Sequence, residues 1–384
     1  MNGLSTVLLS AAAYAGMLVF GIVMALLGAV LPALSARLEY SVADIGGLFL
    51  AMNSAMLVAT LLLGVAMDRF GMKAPLMVGP CLVALALVLI ARAASYAALL
   101  PAVICLGVGG GAVNGASNTL VADLHDDPRR KNAALNLLGV FFGVGALLLP
   151  FTLGALLNTA GVDRLLHATA ALCGLTGLFA LSLRFPEPKQ PRRLPLDRMP
   201  RFLRMPAVLL MGCLLFFQSG NEFLLGGYFS TFITRGLGET AEKASYLLAG
   251  YWASIMLARI ALSRVLIRVS GHAVVGLSAI LAAFGSSWVA AADSPAIAGA
   301  GMVLTGAALA GIFPTMLGLA GARFRDHSGA AFGILITIGL CGGMLMPWLA
   351  GHLAKAAGLR WVFVQAAASF LAIALLIVPV KRAA

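Results

Sequence analysis

Twelve long apolar runs restrict what this chain can fold into more than any other feature. They lie at residues 7–34, 44–66, 75–93, 98–122, 132–158, 165–183, 205–234, 243–267, 273–291, 295–321, 328–354 and 358–380. Crossing a bilayer as a helix takes about 20 apolar residues, and each run is of that order or longer. Inside hydrocarbon the backbone finds no water, and a helix satisfies its own N–H and C=O groups within one run. Of the 384 residues, 61% are hydrophobic and 10% charged, where a soluble domain carries roughly 25% charged residues. A soluble fold of this length could not hide so much apolar surface. The 44 glycines suit helices that pack closely in lipid. The expected fold is an all-α membrane protein with twelve transmembrane helices. The first run leads straight into further spans, so it reads as a span and not as a cleavable leader.

The net charge of +12 lies in short clusters between the runs, which makes it a topology signal rather than a nucleic-acid surface. The longest polar stretch, 184–204, holds seven basic residues and five prolines and reads as a linker. It separates an N-terminal six-helix bundle, 1–183, from a C-terminal one, 205–384. With the linker in the cytoplasm, 18 of the 26 Lys and Arg fall on that side. Seven (Arg37, Arg92, Arg164, Arg235, Lys243, Lys355, Arg360) fall outside, and Arg259 lies within a span. Both termini are then cytoplasmic, in a multi-pass protein of the plasma membrane, the inner membrane of a bacterium. The five cysteines (Cys81, Cys105, Cys173, Cys213, Cys341) sit inside apolar runs without metal or disulfide spacing and read as packing residues.

The two halves repeat each other. Shifted by 197, Gly109, Leu120, Ala133, Ala134, Leu138, Gly145, Pro150 and Gly154 fall on Gly306, Leu317, Ala330, Ala331, Leu335, Gly342, Pro347 and Gly351. Shifted by 200, Ser54-Ala55-Met56-Leu57 falls on Ser254-Ile255-Met256-Leu257, and Gly71 on Gly271. Six is an even number of spans, so both halves insert in the same orientation. That is the parallel-repeat arrangement of transporters that rock about a central site.

Between the second and third spans the chain reads Gly64-Val65-Ala66-Met67-Asp68-Arg69-Phe70-Gly71-Met72-Lys73. An acid beside basic residues in a short turn suits a breakable ion-pair latch; a solvated turn that only sets topology is the other reading. The decapeptide resembles the loop motif of the major facilitator superfamily, Gly-x-x-x-Asp-Arg-x-Gly-x-Lys, at Gly64, Asp68, Arg69, Gly71 and Lys73. The second-half counterpart, 264–271, is degenerate, with Arg268 where the acid would stand. Within that superfamily the chain is most similar to the fucose permease and glucose/galactose transporter group of sugar:proton symporters. Asn118-Thr119-Leu120-Val121 followed by Leu135-Asn136-Leu137 and Gly145-Ala146 resembles that group's fourth and fifth helices. Gly220-Asn221-Glu222 with Tyr228 resembles the seventh, and Tyr251-Trp252 with Leu257-Ala258-Arg259 the eighth. The first span departs from the group: Gly28 stands where an acid precedes the proline, here Pro32, by four residues. Gly139 and Phe142 replace polar pocket residues of the fifth helix.

Glu222 is the one acid well inside a span. An ionised carboxylate there is costly, and an intramembrane acid is a functional candidate by default. It suits a group that gains and loses a proton during transport; a structural acid held by a hydrogen bond or an arginine is the alternative. Arg259 is either its partner or a cation that snorkels to the membrane surface. Asn114 and Asn118 share a helix face. With Asn53, Asn136, Gln218, Asn221 and Gln365 they are the amides away from the span ends. Amides donate and accept, which suits a hydroxyl-rich substrate; hydrogen bonding between helices is the plainer reading. For Asn118, Gln218 and Asn221 the resemblance implies a pocket role. Tyr228, Tyr251, Trp252 and Trp348 are candidate sugar-stacking residues, although aromatics near span ends more often serve as interface anchors. The segment 123–131 mixes both signs; Asp123, at a helix end, is the candidate gate partner of Asp68 and Arg69.

No phosphate-binding loop of the Gly-x-x-x-x-Gly-Lys type occurs, so nothing points to an ATP motor, an enzyme or a cofactor. The five histidines lack metal-ligand spacing. These readings converge on a monomeric secondary active transporter that imports a sugar or similar hydroxylated metabolite by proton symport with alternating access. Sodium stays open as the coupling ion. A proton-coupled exporter of amphipathic compounds or drugs is the alternative, favoured by the apolar first span and by Phe141 and Phe142.

Overall fold

The structure, a computed structural model, describes residues 3–35, 37–125, 127–186, 205–265, 268–324 and 328–382. It is helical, with no strand among the described residues. In chain order the helices are α1 (Gly3–Leu34), α2 (Val42–Phe70), α3 (Lys73–Arg92), α4 (Tyr96–Leu124), α5 (Pro128–Ala160) and α6 (Val162–Ser182). After the linker come α7 (Pro206–Thr231, extended by a wide turn over Phe232–Gly236), α8 (Ala241–Val265) and α9 (Gly271–Ala291). Next is α10, in two pieces (Pro295–Leu309 and Ile312–Arg323), then α11 (Ser328–Ala357) and α12 (Arg360–Arg382). Among the described residues, 12 segments are long and apolar enough to cross a membrane. Leu61, Leu62, Leu175, Leu277, Phe284 and Leu375 are exposed on their helices, as side chains that face lipid would be. The linker assigned to 184–204 lies outside the described residues from 187 onward.

The chain forms two compact units, residues 1–40 with 51–192, and residues 41–50 with 193–384. Each packs by the same plan. In the first, α1 lies on α5, and α3 on α4 and α6; in the second, α7 lies on α11, and α9 on α10 and α12. The glycines matched by the 197-residue shift are the reason. A Cβ at Gly145 would strike the Leu18 carbonyl of α1, and one at Gly342 would strike the Phe216 carbonyl of α7. Hydrogen as the side chain is what lets each pair of backbones touch. Around the first contact Leu9, Ala13, Leu76, Ala116, Leu120 and Leu138 form the core of the unit.

Each unit also ties the C-terminal end of its third helix with an arginine. Arg37 donates to both Asp163 oxygens at 3.0 Å and to the Ala91 carbonyl at 2.9 Å. Arg360 donates to Asp293 at 2.6 Å and to the Ala290 carbonyl at 2.9 Å. Cations suit helix C-termini. The polarity is reversed between the repeats: the acid opens α6, but the arginine opens α12. Both pairs are largely exposed, so Arg37→Ala is expected to cost about 1 kcal/mol or less. Thermal unfolding in detergent at low and high salt checks this, the difference from the parent shrinking as salt rises.

Three boundaries differ from those expected. Helix α2 continues through the motif to Phe70, so the turn is only Gly71 and Met72. Gly71 closes the helix with φ +80°, open to glycine at no steric cost, and its N–H donates to the Met67 carbonyl at 2.9 Å. The charged segment 123–131 is mostly helical. Only residues 125–127 separate α4 from α5, because Pro128 starts a helix without sacrificing a hydrogen bond. Finally, α10 breaks at Ala310 and Gly311. Pro314 has no N–H and its ring crowds the carbonyl of Ala310, four residues earlier, so the helix restarts at Ile312 with the proline in its first turn.

Candidate functional site

A buried polar group of the second unit lies midway along α7. Glu222 is 8% exposed and Gln218, one turn earlier, is 1% exposed. Gln218 Nε2 donates to Glu222 Oε2 at 3.0 Å, and Ser219 Oγ donates to Gln218 Oε1 at 3.3 Å. The chain of donors from Ser219 through Gln218 orients the amide and aims its NH2 group at the carboxylate. Gln218 is neutral, so it holds the carboxylate in place without cancelling its charge.

Helix α8 supplies the rest of this group. Trp252 rests on Gly226, one turn beyond Glu222, where a Cβ would lie 3.2 Å from the indole. Tyr251 packs edge-on against Trp252, with ring centroids 5.2 Å apart. Tyr251 is within electrostatic range of both Glu222 and Arg259, and Arg259 is half-buried on the same helix.

The other candidates of this unit engage the protein itself. Asn221, fully buried, accepts at Oδ1 from Ser369 Oγ of α12 at 3.0 Å, and its Nδ2 donates to the Ala366 carbonyl at 3.5 Å. The Tyr228 hydroxyl donates to the Pro347 carbonyl of α11 at 2.9 Å, with the Val42 carbonyl at 3.3 Å. Gly46 and Gly351 give that hydroxyl room: a Cβ on either would lie 3.0 and 2.6 Å from it. Ser369 is absent from the sequence-based candidates. Its signal was present, since Gln365 and Ser369 are spaced four apart and mark one polar stripe on α12.

In the first unit, Asn118 Nδ2 donates to Asn114 at both its carbonyl (2.9 Å) and its Oδ1 (3.0 Å). The shared face expected from their spacing is therefore a direct contact. Asn118 and Asn136 are exposed and Asn53 is fully buried. In the same unit the rings of Tyr14 and Phe141 stack in parallel at 5.1 Å, and Phe20 and Phe142 lie 5.7 Å apart. Of the loop motif, Lys73 opens α3 and Asp123 sits half-buried one residue before the end of α4. The side chains of Gly64, Asp68 and Arg69 lie outside the described residues. Among the described residues no group of His, Cys, Asp and Glu could hold a metal.

Comparison with known proteins agrees with this architecture. A transporter of Bacillus subtilis (strain 168), described as the uncharacterized MFS-type transporter YfkL, is 24% identical over 319 residues, 78% of this chain and 77% of its own. Among solved structures, a D-xylose-proton symporter superposes with a TM-score of 0.82 at 14% identity, covering 97% of each chain. The nucleoside transporter NupG gives 0.79 at 15% identity, over 99% of each chain. A single-residue variant of the E. coli fucose:proton symporter, FucP, gives 0.65 at 19% identity, over 98% of this chain and 99% of its own. At such identities these structures speak for the fold alone. The Major Facilitator Superfamily model matches the chain twice, at residues 13–220 and 211–384. Twelve spans, a repeated packing plan and this double match lead to one conclusion: the chain is a multi-pass membrane transporter belonging to the Major Facilitator Superfamily.

Proposed function

We propose that this transporter imports a sugar or a similar small hydroxylated metabolite by proton symport with alternating access, and that Glu222 carries the coupling proton. The observation that supports this most is a carboxylate buried in the middle of a membrane span and contacted by a neutral amide. An acid in that setting is a functional residue by default. The amide of Gln218 and the hydroxyl of Ser219 beside it, with Tyr251 and Trp252 of α8, match neutral hydroxyl groups and the faces of sugar rings. Asn53, Asn114, Asn118, Asn136, Gln218 and Asn221 are the candidate hydrogen-bonding residues, with Tyr228, Tyr251 and Trp252 as the aromatic ones. Of these, Asn221 and Tyr228 already spend hydrogen bonds on neighbouring helices. Gly64, Asp68, Arg69, Gly71, Lys73 and Asp123 are assigned to a cytoplasmic gate. Both termini are placed in the cytoplasm, in a bundle–linker–bundle chain divided at 184–204.

The test is uptake into proteoliposomes of labelled neutral sugars and polyols, with and without an inward proton gradient and with sodium as a separate arm. Accumulation of at least one of them against its gradient, driven by protons, is expected. Uptake driven only by sodium reassigns the coupling ion, and no uptake of any of them removes the substrate class. A second reading, proton-driven export of amphipathic compounds, draws on the aromatic pairs Tyr14–Phe141 and Phe20–Phe142 in the first unit. It predicts drug resistance in a sensitive host expressing the protein, an outcome the import reading does not produce.

A further inference from the structure

Tyr251 is the unusual member of the group around Glu222. It is fully buried, yet its hydroxyl has no hydrogen-bond partner among the described residues. A buried hydroxyl left unmade costs more than an ordinary hydrogen bond returns, and folded proteins keep few of them. Packing alone holds the ring. It lies edge-on to Trp252 and against Gly306 of α10, where a Cβ would come within 2.8 Å of its Cδ2. The hydroxyl is therefore not needed for packing. The charged groups that act on it are Glu222 from α7 and Arg259 from its own helix; α10 brings Gly306 to it.

We propose that the Tyr251 hydroxyl links the protonation state of Glu222 to the substrate. This rests on the reading of Glu222 as the proton carrier. A hydroxyl has one donor proton and two acceptor lone pairs. When Glu222 is charged the hydroxyl turns to donate to the carboxylate, a contact it does not make in this structure. Once Glu222 has taken up a proton, the hydroxyl is released to donate to a hydroxyl oxygen of the substrate. The tyrosine proton stays on its own oxygen throughout, so Tyr251 is a positioning residue and not a proton carrier.

Tyr251→Phe removes the hydroxyl and keeps the ring, so substrate counterflow is expected to continue with a raised KM, one donor to the substrate being gone. With the donor gone the charged carboxylate loses support, and the pH of half-maximal proton-driven uptake rises by about one unit. A tyrosine that served only by packing would leave that profile unmoved. Glu222→Gln, run beside it, separates the two claims. If Glu222→Gln loses accumulation while Tyr251→Phe keeps the parental pH profile, the link is overturned and the proton carrier stands. If Glu222→Gln accumulates normally, both fall. Should Tyr251→Phe not fold, infrared difference spectra of the parent carrying ring-4-13C tyrosine replace it. The expected result is a tyrosine C–O band that moves with the carboxyl band missing from Glu222→Gln; a static tyrosine band overturns the proposal.

Discussion

Glu222→Gln is expected to abolish proton-driven accumulation while leaving substrate counterflow intact. Glutamine matches glutamate in shape and can still hydrogen-bond to Gln218, which now contacts Glu222 at 3.0 Å, so the fold is preserved. What it cannot do is exchange a proton. One proton moving down a gradient of one pH unit is worth about 1.4 kcal/mol, about a tenfold accumulation ratio. In the variant that ratio falls to about one, at any imposed gradient. Exchange of labelled for unlabelled substrate needs no net proton movement and proceeds. The measurement is paired uptake and counterflow in proteoliposomes. Tenfold accumulation by the variant under a one-unit gradient would remove Glu222 from the coupling step.

Gly342→Val, and equally Gly145→Val, is expected to remove most of the folded protein. At these positions any Cβ meets the backbone carbonyl of Phe216 or Leu18 rather than the far end of a flexible side chain. Overpacking a core costs about 1–3 kcal/mol where side chains move aside. Here whole helices must separate, α11 from α7 or α5 from α1, so the cost exceeds that range. The matched controls are Gly333→Ala on α11 and Gly139→Ala on α5, where a Cβ meets nothing within 4 Å. Yield and thermal stability in detergent separate the two sets. Controls that fall as far as the valine variants would mean that these helices do not touch as described.

The legible part of this protein was whatever depends on one run of chain at a time. Apolar run length gave the spans, because a bilayer demands self-satisfied backbone over a fixed thickness. The two-fold repeat was visible because Gly145 and Gly342 serve the same close approach, and neither tolerates another residue. Helix ends were less legible. The break in α10 could have been read from Pro314 alone, but hydropathy runs straight through it. The charged segment 123–131 looked like a loop because polarity marks the edge of the membrane, not the end of a helix.

Partner choice was legible only within a helix. Asn118 hydrogen-bonds to Asn114, four residues away, and that spacing could be read from the sequence. Asn221 hydrogen-bonds to Ser369, 148 residues away, and no local pattern specifies such a pair. The sequence by itself determined a two-fold repeated, twelve-span membrane protein with one acid deep in a span, since hydropathy and backbone satisfaction act locally. The tertiary structure alone decided that Tyr251, from another helix, stands within this acid's field with no hydrogen-bond partner for its hydroxyl among the described residues. Which helix faces meet is settled by packing over the whole chain, and only that packing sets the electrostatic environment of a buried charge.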